Sequence, residues 1–210
     1  MKRITICLSL AVCLSLVGSV FAETVNYGWE TGSGDAILGS YGNIGSAEFS
    51  TEQAHSGDYS LKITEDPIGG TPQAYLAWVT GLQEGDVVTA SVWAQSYNGT
   101  DSIPRGRLWG HYTAGDDINA YDGSASGPDE YAGATDWDCI QHSWTIAAGK
   151  EALVIEGRIY SSSDPGNNVV YFDDLCVTVP DHASVTVVPE PNTLGLLFAG
   201  LALFGFLRRK

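Results

Sequence analysis

Positive charge is nearly missing from the interior of this chain. Of its ten Lys and Arg residues, set against 25 Asp and Glu, five (Lys2, Arg3, Arg208, Arg209 and Lys210) lie in the terminal segments. Between the ends stand 24 acids and 5 bases, a net charge of −19. Such a surface repels phosphate backbones, so nucleic acid is a poor partner, and divalent cations or neutral glycans suit it better. The bland alternative is that the acidity only keeps an exported protein soluble. Catalytic signatures are missing too: no G-x-S-x-G, H-E-x-x-H or phosphate-binding loop occurs, and each of those chemistries needs its residues at fixed spacing. The acids lie chiefly in loops, where paired carboxylates are more often solvated than catalytic, and no nucleophile with its base can be located. His55, His111, His142 and His182 lack ligand spacing, which argues against zinc.

What is plentiful is Gly (25), Tyr (10) and Trp (6), with short β-branched runs broken by Gly, Asn, Asp and Ser. That is the profile of strands and tight turns. Without the terminal segments roughly 165 residues remain for folding, which fits one domain.

The ends read as addresses. Met1-Lys2-Arg3 is a basic start, residues 4–17 are apolar, and Val20-Phe21-Ala22 places small residues where a signal peptidase reads. Cleavage after Ala22 is expected; an uncleaved anchor is the alternative. At the C-terminus Pro189-Glu190-Pro191 precedes an uncharged stretch, 193–207, and the cluster Arg208-Arg209-Lys210. A transmembrane helix over 193–207 reaches about two-thirds of the way across a hydrocarbon core unless flanking residues join it. The basic end belongs on the cytoplasmic side, which leaves the domain outside. The prolines stop the helix from extending backwards and keep the junction open to a processing enzyme.

That order of Pro-Glu-Pro, short apolar helix and basic end closely resembles the PEP-CTERM sorting signal of Gram-negative bacteria. The resemblance implies processing by an exosortase membrane transpeptidase. It also implies a temporary inner-membrane anchor and delivery to the cell surface or extracellular matrix of biofilm-forming organisms. The alternative is an ordinary anchor with an accidental Pro-Glu-Pro. The expected organisation is a signal peptide at 1–22, a β-sandwich at 23–180, a linker at 181–188 and the sorting signal at 189–210.

Export removes Cys7 and Cys13 and leaves Cys139 and Cys176, an even pair in an oxidising compartment. Alternation along 140–146 and 175–179 turns the apolar residues inward and puts both cysteines on outward positions. A Cys139–Cys176 bridge is expected, stabilising the fold by about 3–4 kcal/mol in the chain-entropy account.

Segments 60–64, 73–79, 87–97, 105–112, 140–147, 152–160 and 169–179 read as strands, separated by turn signals. So many short strands without intervening helices predict an all-β fold of two antiparallel sheets packed face to face. A closed barrel is the competitor. Gly28-Trp29-Glu30, His55-Ser56-Gly57-Asp58-Tyr59, Gly81-Leu82-Gln83-Glu84-Gly85-Asp86 and Tyr171-Phe172-Asp173-Asp174-Leu175 are similar to landmarks of jelly-roll carbohydrate-binding modules of the galactose-binding-like type. The resemblance implies one structural Ca²⁺ held by Glu30 and by Asp173 or Asp174, beside the Ser-Gly turn. Adjacent strand carboxylates face opposite ways, so the inward one needs a cation or hydrogen bonds; capping of Asp174 by backbone N–H groups is the alternative. The acidic stretch 116–123 reads as a solvated loop, because its Gly falls one place late for an EF-hand.

A sugar site needs aromatic faces flanked by polar side chains. Trp93 with Tyr97, Arg107 with Trp109 and His111, and Glu156 with Arg158 and Tyr160 fall on the less apolar parity of their strands. If those strands adjoin in one sheet, they form a mixed aromatic and charged face. The alternative is that loops cover Trp93 and Trp109 while Trp29, Trp78, Trp137 and Trp144 fill the core. The sequence therefore predicts a non-enzymatic envelope or matrix protein that binds polysaccharide. A purely structural surface protein is the rival, and a glycan-active hydrolase or lyase is the more distant one.

Overall fold

The computed structural model describes residues 22–96, 105–132, 136–160 and 168–188. Most of the expected signal peptide, Tyr97, and the sorting signal with Pro189, Glu190, Pro191, the apolar helix 193–207, Arg208, Arg209 and Lys210 lie outside the described residues. Among the described residues the chain forms strands and no helix. They are β1 (Ala22–Tyr27), β2 (Gly39–Tyr41), β3 (Ile44–Ser50), β4 (Ser60–Glu65), β5 (Gln73–Thr80), β6 (Val87–Gln95), β7 (Arg105–Thr113), β8 (Tyr121–Ser126), β9 (Asp138–Thr145), β10 (Ala152–Tyr160), β11 (Val169–Pro180) and β12 (Ser184–Thr186).

They pair into two antiparallel six-stranded sheets. Sheet A runs β3-β4-β11-β6-β9, with β1 also on β11; sheet B runs β12-β5-β10-β7-β8, with β2 also on β5. The long strand β11 pairs β4 through Val169–Phe172 and β1 through Leu175–Pro180. In sheet B, β5 does the same with β2 and β12. The architecture is the expected all-β sandwich of the jelly-roll type.

Period-two alternation builds the core. From sheet A, Val88, Ala90, Val92, Ala94, Val170, Phe172, Leu175 and Val177 are buried; from sheet B, Leu76, Val79, Leu108, Leu153, Ile155 and Ile159 meet them. Glycines set how closely the sheets approach. A Cβ on Gly157 would lie 3.1 Å from the Phe172 ring, and one on Gly106 would lie 2.9 Å from Val170 and 3.2 Å from the same ring. Phe172 thus fills the space that two missing side chains leave, and its full burial stabilises the fold by about 1.5–3 kcal/mol. Trp144 uses Gly110 in the same way and donates its indole N–H to the Ser126 carbonyl at 2.9 Å.

Two expectations require correction. Cys139 and Cys176 are both free. Each faces outward as alternation predicts, but β6 runs between them: Cys139 is opposite Trp93 on one side of β6, and Cys176 is opposite Ser91 on the other. Two strand spacings put the backbones about 9.5 Å apart, beyond the roughly 7 Å Cα reach of a disulfide. The expected linker 181–188 also belongs to the fold: β12 pairs with β5, and Val188 is buried in the core.

Candidate functional site

The outer face of sheet B carries a cleft of about 420 Å³ lined by Tyr41, Gln73, Tyr75, Asn119, Tyr121 and Arg158. Its position follows from register. Glu156 stands opposite Tyr75 on one side and Trp109 on the other, and Arg158 stands opposite Gln73 and Arg107. A bulge after Ile155 shifts the β5 register, so that Leu76 and Ala77 both belong to the core while Tyr75 stays on the cleft face. Tyr41 from β2 and Tyr121 from β8 stand as walls, each 67% exposed.

The floor is polar and tightly bonded. Glu156 is fully buried; one carboxylate oxygen accepts from Arg158 Nε at 2.5 Å and the other is hydrogen-bonded to His111 Nδ1. His111 in turn touches the rings of Tyr75 and Tyr121, with centroids at 5.1 and 5.6 Å. Burial, and then the Glu156 carboxylate, push the Tyr75 phenol above its ordinary range. It therefore stays a neutral hydrogen-bonding group at all working pH values. Beside the cleft, the Arg107 and Arg158 guanidiniums each lie 4.5 Å from the Trp109 ring centroid. The Trp109 N–H donates to Ser124 Oγ at 3.1 Å. Exposed aromatic faces with fixed donors and acceptors between them offer stacking and hydroxyl recognition.

Arg107, Trp109 and Arg158, singled out in the sequence, thus meet on one face with His111, Glu156 and Tyr160. Trp93 does not join them, because β6 belongs to sheet A. Its ring stacks on His55 on the opposite face of the sandwich, with centroids 3.9 Å apart. Of the other tryptophans, Trp29 and Trp144 are buried, whereas Trp78 is half-buried and donates to Thr113 Oγ1. Tyr41, Gln73, Tyr75, Asn119 and Tyr121 were not anticipated. Tyr75 and Gln73 share a parity that alternation could have shown, but β2 spans only three residues and carries no periodic signal.

Glu30, Asp173 and Asp174 converge at the other anticipated site. A Cβ placed on Gly28 would lie 3.6 Å from Asp174 Oδ1, 3.7 Å from Glu30 Cγ and 3.8 Å from Asp173 Oδ1. The two aspartates do not face opposite ways as simple alternation requires. Asp174 has φ 47° at a register shift in β11, and both carboxylates turn to the His55-Ser56 turn. Asp173 Oδ2 accepts from the backbone N–H groups of His55 (2.8 Å) and Ser56 (3.2 Å), and Asp174 is bonded to His55 Nδ1 (2.6 Å) and Ser56 Oγ (2.8 Å). It is therefore Asp173, not Asp174, that backbone N–H groups cap. Glu30 accepts from the N–H of Asp58 and Tyr59. Gly57, with φ 62°, lets the turn lie against Glu30, where any Cβ would collide with its carboxylate. Burial raises Asp173 to about 6 against its backbone donors. Among the described residues no three His, Cys, Asp or Glu side chains are arranged to hold a metal ion.

Residues 187–210 match the profile of the PEP-CTERM protein-sorting motif. No curated protein sequence matches the chain. The described domain is similar in fold to solved carbohydrate-binding modules. It is 17% identical to the C-terminal family 22 carbohydrate binding module of Clostridium thermocellum Xyn10B, with a TM-score of 0.50 over 79% of this chain and 95% of that one. The CBM22-2 xylan-binding domain of Paenibacillus barcinonensis Xyn10C gives 16% identity and a TM-score of 0.50 over 78% of this chain and 99% of that one. The tandem domain of the same Paenibacillus protein gives 17% and 0.53, over 78% of this chain and 48% of its own length.

Proposed function

We propose that this PEP-CTERM chain is a non-enzymatic polysaccharide-binding protein of the cell envelope or extracellular matrix, whose glycan site is the outer face of sheet B. The observation that carries the reading is the cleft itself, in which Tyr41, Tyr75 and Tyr121 surround Gln73, Asn119 and Arg158. Chromatography or calorimetry of the exported protein on a polysaccharide panel, the producer's own matrix included, tests it. Binding is expected to be lost in Tyr41→Ala and Tyr75→Ala. No retention on any polymer leaves a structural surface protein, and release of hydrolysis or elimination products makes it an enzyme.

The sorting motif supports export, an exosortase partner and a membrane-anchored precursor of a Gram-negative-type cell. A mature protein that begins at Glu23 after cleavage by signal peptidase at Ala22, and that has lost its tail, is the expected product by mass spectrometry. An intact chain in the cytosol contradicts this.

Calcium at Glu30, Asp173 and Asp174 belongs to the same proposal. The carboxylates of Glu30, Asp173 and Asp174 border one turn and are bonded to its N–H groups and side chains rather than gathered as a ligand set. What favours a cation is that no Lys or Arg is among the hydrogen-bond partners described above and that two non-glycine residues there, Trp29 and Asp174, adopt left-handed backbone. A cation bound there would neutralise the buried charge of Asp173. Melting with Ca²⁺ and with chelator is expected to differ, and identical curves remove the ion.

A further inference from the structure

Five bases serve the interior of this chain, and three of them, Arg105, Arg107 and Arg158, stand together on the outer face of sheet B. The other two are tied up elsewhere, Lys62 to Glu52 and Lys150 to Asp122. Within the group, Arg107 and Arg158 are directly opposite each other on β7 and β10. Their guanidiniums flank a single ring, each 4.5 Å from the Trp109 centroid. Like charges opposed across an antiparallel pair repel, and a fold under no other demand avoids them.

Among the described residues the compensation is incomplete. Glu156 accepts from Arg158 Nε, but its second oxygen is spent on His111, so it does not serve Arg107. Arg107 gives Nε to the Pro128 carbonyl at 2.7 Å and Nη1 to the Tyr131 hydroxyl at 3.3 Å, both neutral acceptors. Its anionic partner among the described residues is Asp129, whose Oδ1 accepts from Nη2 at 3.2 Å from a side chain fully open to solvent. An ion pair to so exposed a carboxylate is worth little and is easily exchanged. Asp129 nevertheless marks the direction from which a carboxylate reaches Arg107.

We infer that the ligand of the sheet B cleft is an acidic polysaccharide, and that a uronate carboxylate takes the place of Asp129 beside Arg107 and Arg158 while neighbouring sugar rings stack along Trp109 and the cleft tyrosines. The inference rests on the glycan-binding reading and narrows it. It also departs from the neutral ligand that a net charge of −19 favours. At physiological salt, charges more than about 8 Å away are largely screened, so the adjacent guanidiniums outweigh the distant acids. A carboxylate on an Arg makes short, paired hydrogen bonds that a neutral hydroxyl does not.

The test compares uronate-bearing polymers, a glucuronoxylan and a galacturonan, with their carboxyl-reduced counterparts on the exported protein. The acidic member of at least one pair is expected to bind about 10-fold or more tightly at low ionic strength, with the gap closing as salt rises. Arg158→Gln is expected to abolish the gap. Asp129→Asn, an exposed change that leaves the fold intact, is expected to widen it. Equal or tighter binding of the reduced polymers, or a gap that Asp129→Asn leaves unchanged, overturns the acidic ligand while the glycan reading stands. Retention of no polymer in the wider panel overturns both.

Discussion

His55 lies flat on Trp93, with ring planes 15° apart, while its Nδ1 is hydrogen-bonded to Asp174 at 2.6 Å. One side chain thus fastens the 55–59 turn to both β6 and β11 of sheet A. His55→Ala removes a stacked ring pair and a hydrogen bond to a carboxylate, and a loss of about 1–3 kcal/mol is expected in denaturant unfolding. Glycan binding is expected to be unchanged, because sheet B carries the cleft on the opposite face. Weakened binding in this variant places the site on the wrong sheet.

Stability should respond to pH through Asp173. Burial raises its carboxyl from 3.8 to about 6 in the folded protein. The native state therefore holds this proton more tightly than the unfolded chain, and the contribution of Asp173 is most favourable below pH 3.8 and is lost as pH rises to about 6. The full loss is on the order of 2–3 kcal/mol. Subtracting the unfolding free energies of Asp173→Asn from those of the native chain between pH 3.5 and 7 exposes the contribution of this carboxyl. A flat difference removes it.

Gly157→Ala should destabilise although it adds one methyl group. The new Cβ meets Phe172 at 3.1 Å and Leu76 at 3.3 Å inside the sandwich. Overpacking of this kind costs about 1–3 kcal/mol. Pairing the change with Phe172→Leu is expected to recover part of the loss in a double-mutant cycle, and simple additivity counts against the contact.

The thiols of Cys139 and Cys176 should both be titratable. Burial raises the Cys139 thiol above its ordinary range, which slows its reaction at neutral pH even though the residue is exposed. Complete alkylation of Cys139 and Cys176 in the unreduced, unfolded protein is expected by mass spectrometry, with no change in melting temperature on adding reductant. An intact mass two hydrogens lighter restores the bridge.

Much of the site was legible because strand parity is a local matter. Arg107, Trp109 and His111 share a face of β7, and Glu156, Arg158 and Tyr160 share a face of β10, since alternate side chains of any strand point the same way. Membership of a sheet is not local. Trp93 has the same parity signature as Trp109, yet β6 pairs with β9 and β11, and its tryptophan meets His55 from a distant turn. The disulfide expectation failed for the same reason: alternation placed each cysteine on the outward face but contained nothing about the strand between them. The opposed orientation of Asp173 and Asp174 failed differently, through a register shift and one left-handed residue that interrupt the alternation.

By itself the sequence determined the acidic interior, the inward and outward faces of the main strands, the sandwich class and, in a tail read from 189 to 210, the resemblance to a sorting signal that the motif match at 187–210 supports. Each of these depends on composition or on neighbours along the chain. Tertiary structure alone decided that β7 and β10 adjoin, that Tyr41 and Tyr121 wall the same cleft, and that two arginines share one tryptophan. Those relations are set by backbone hydrogen bonds and packing between residues far apart in sequence, which balance only when the whole sandwich closes.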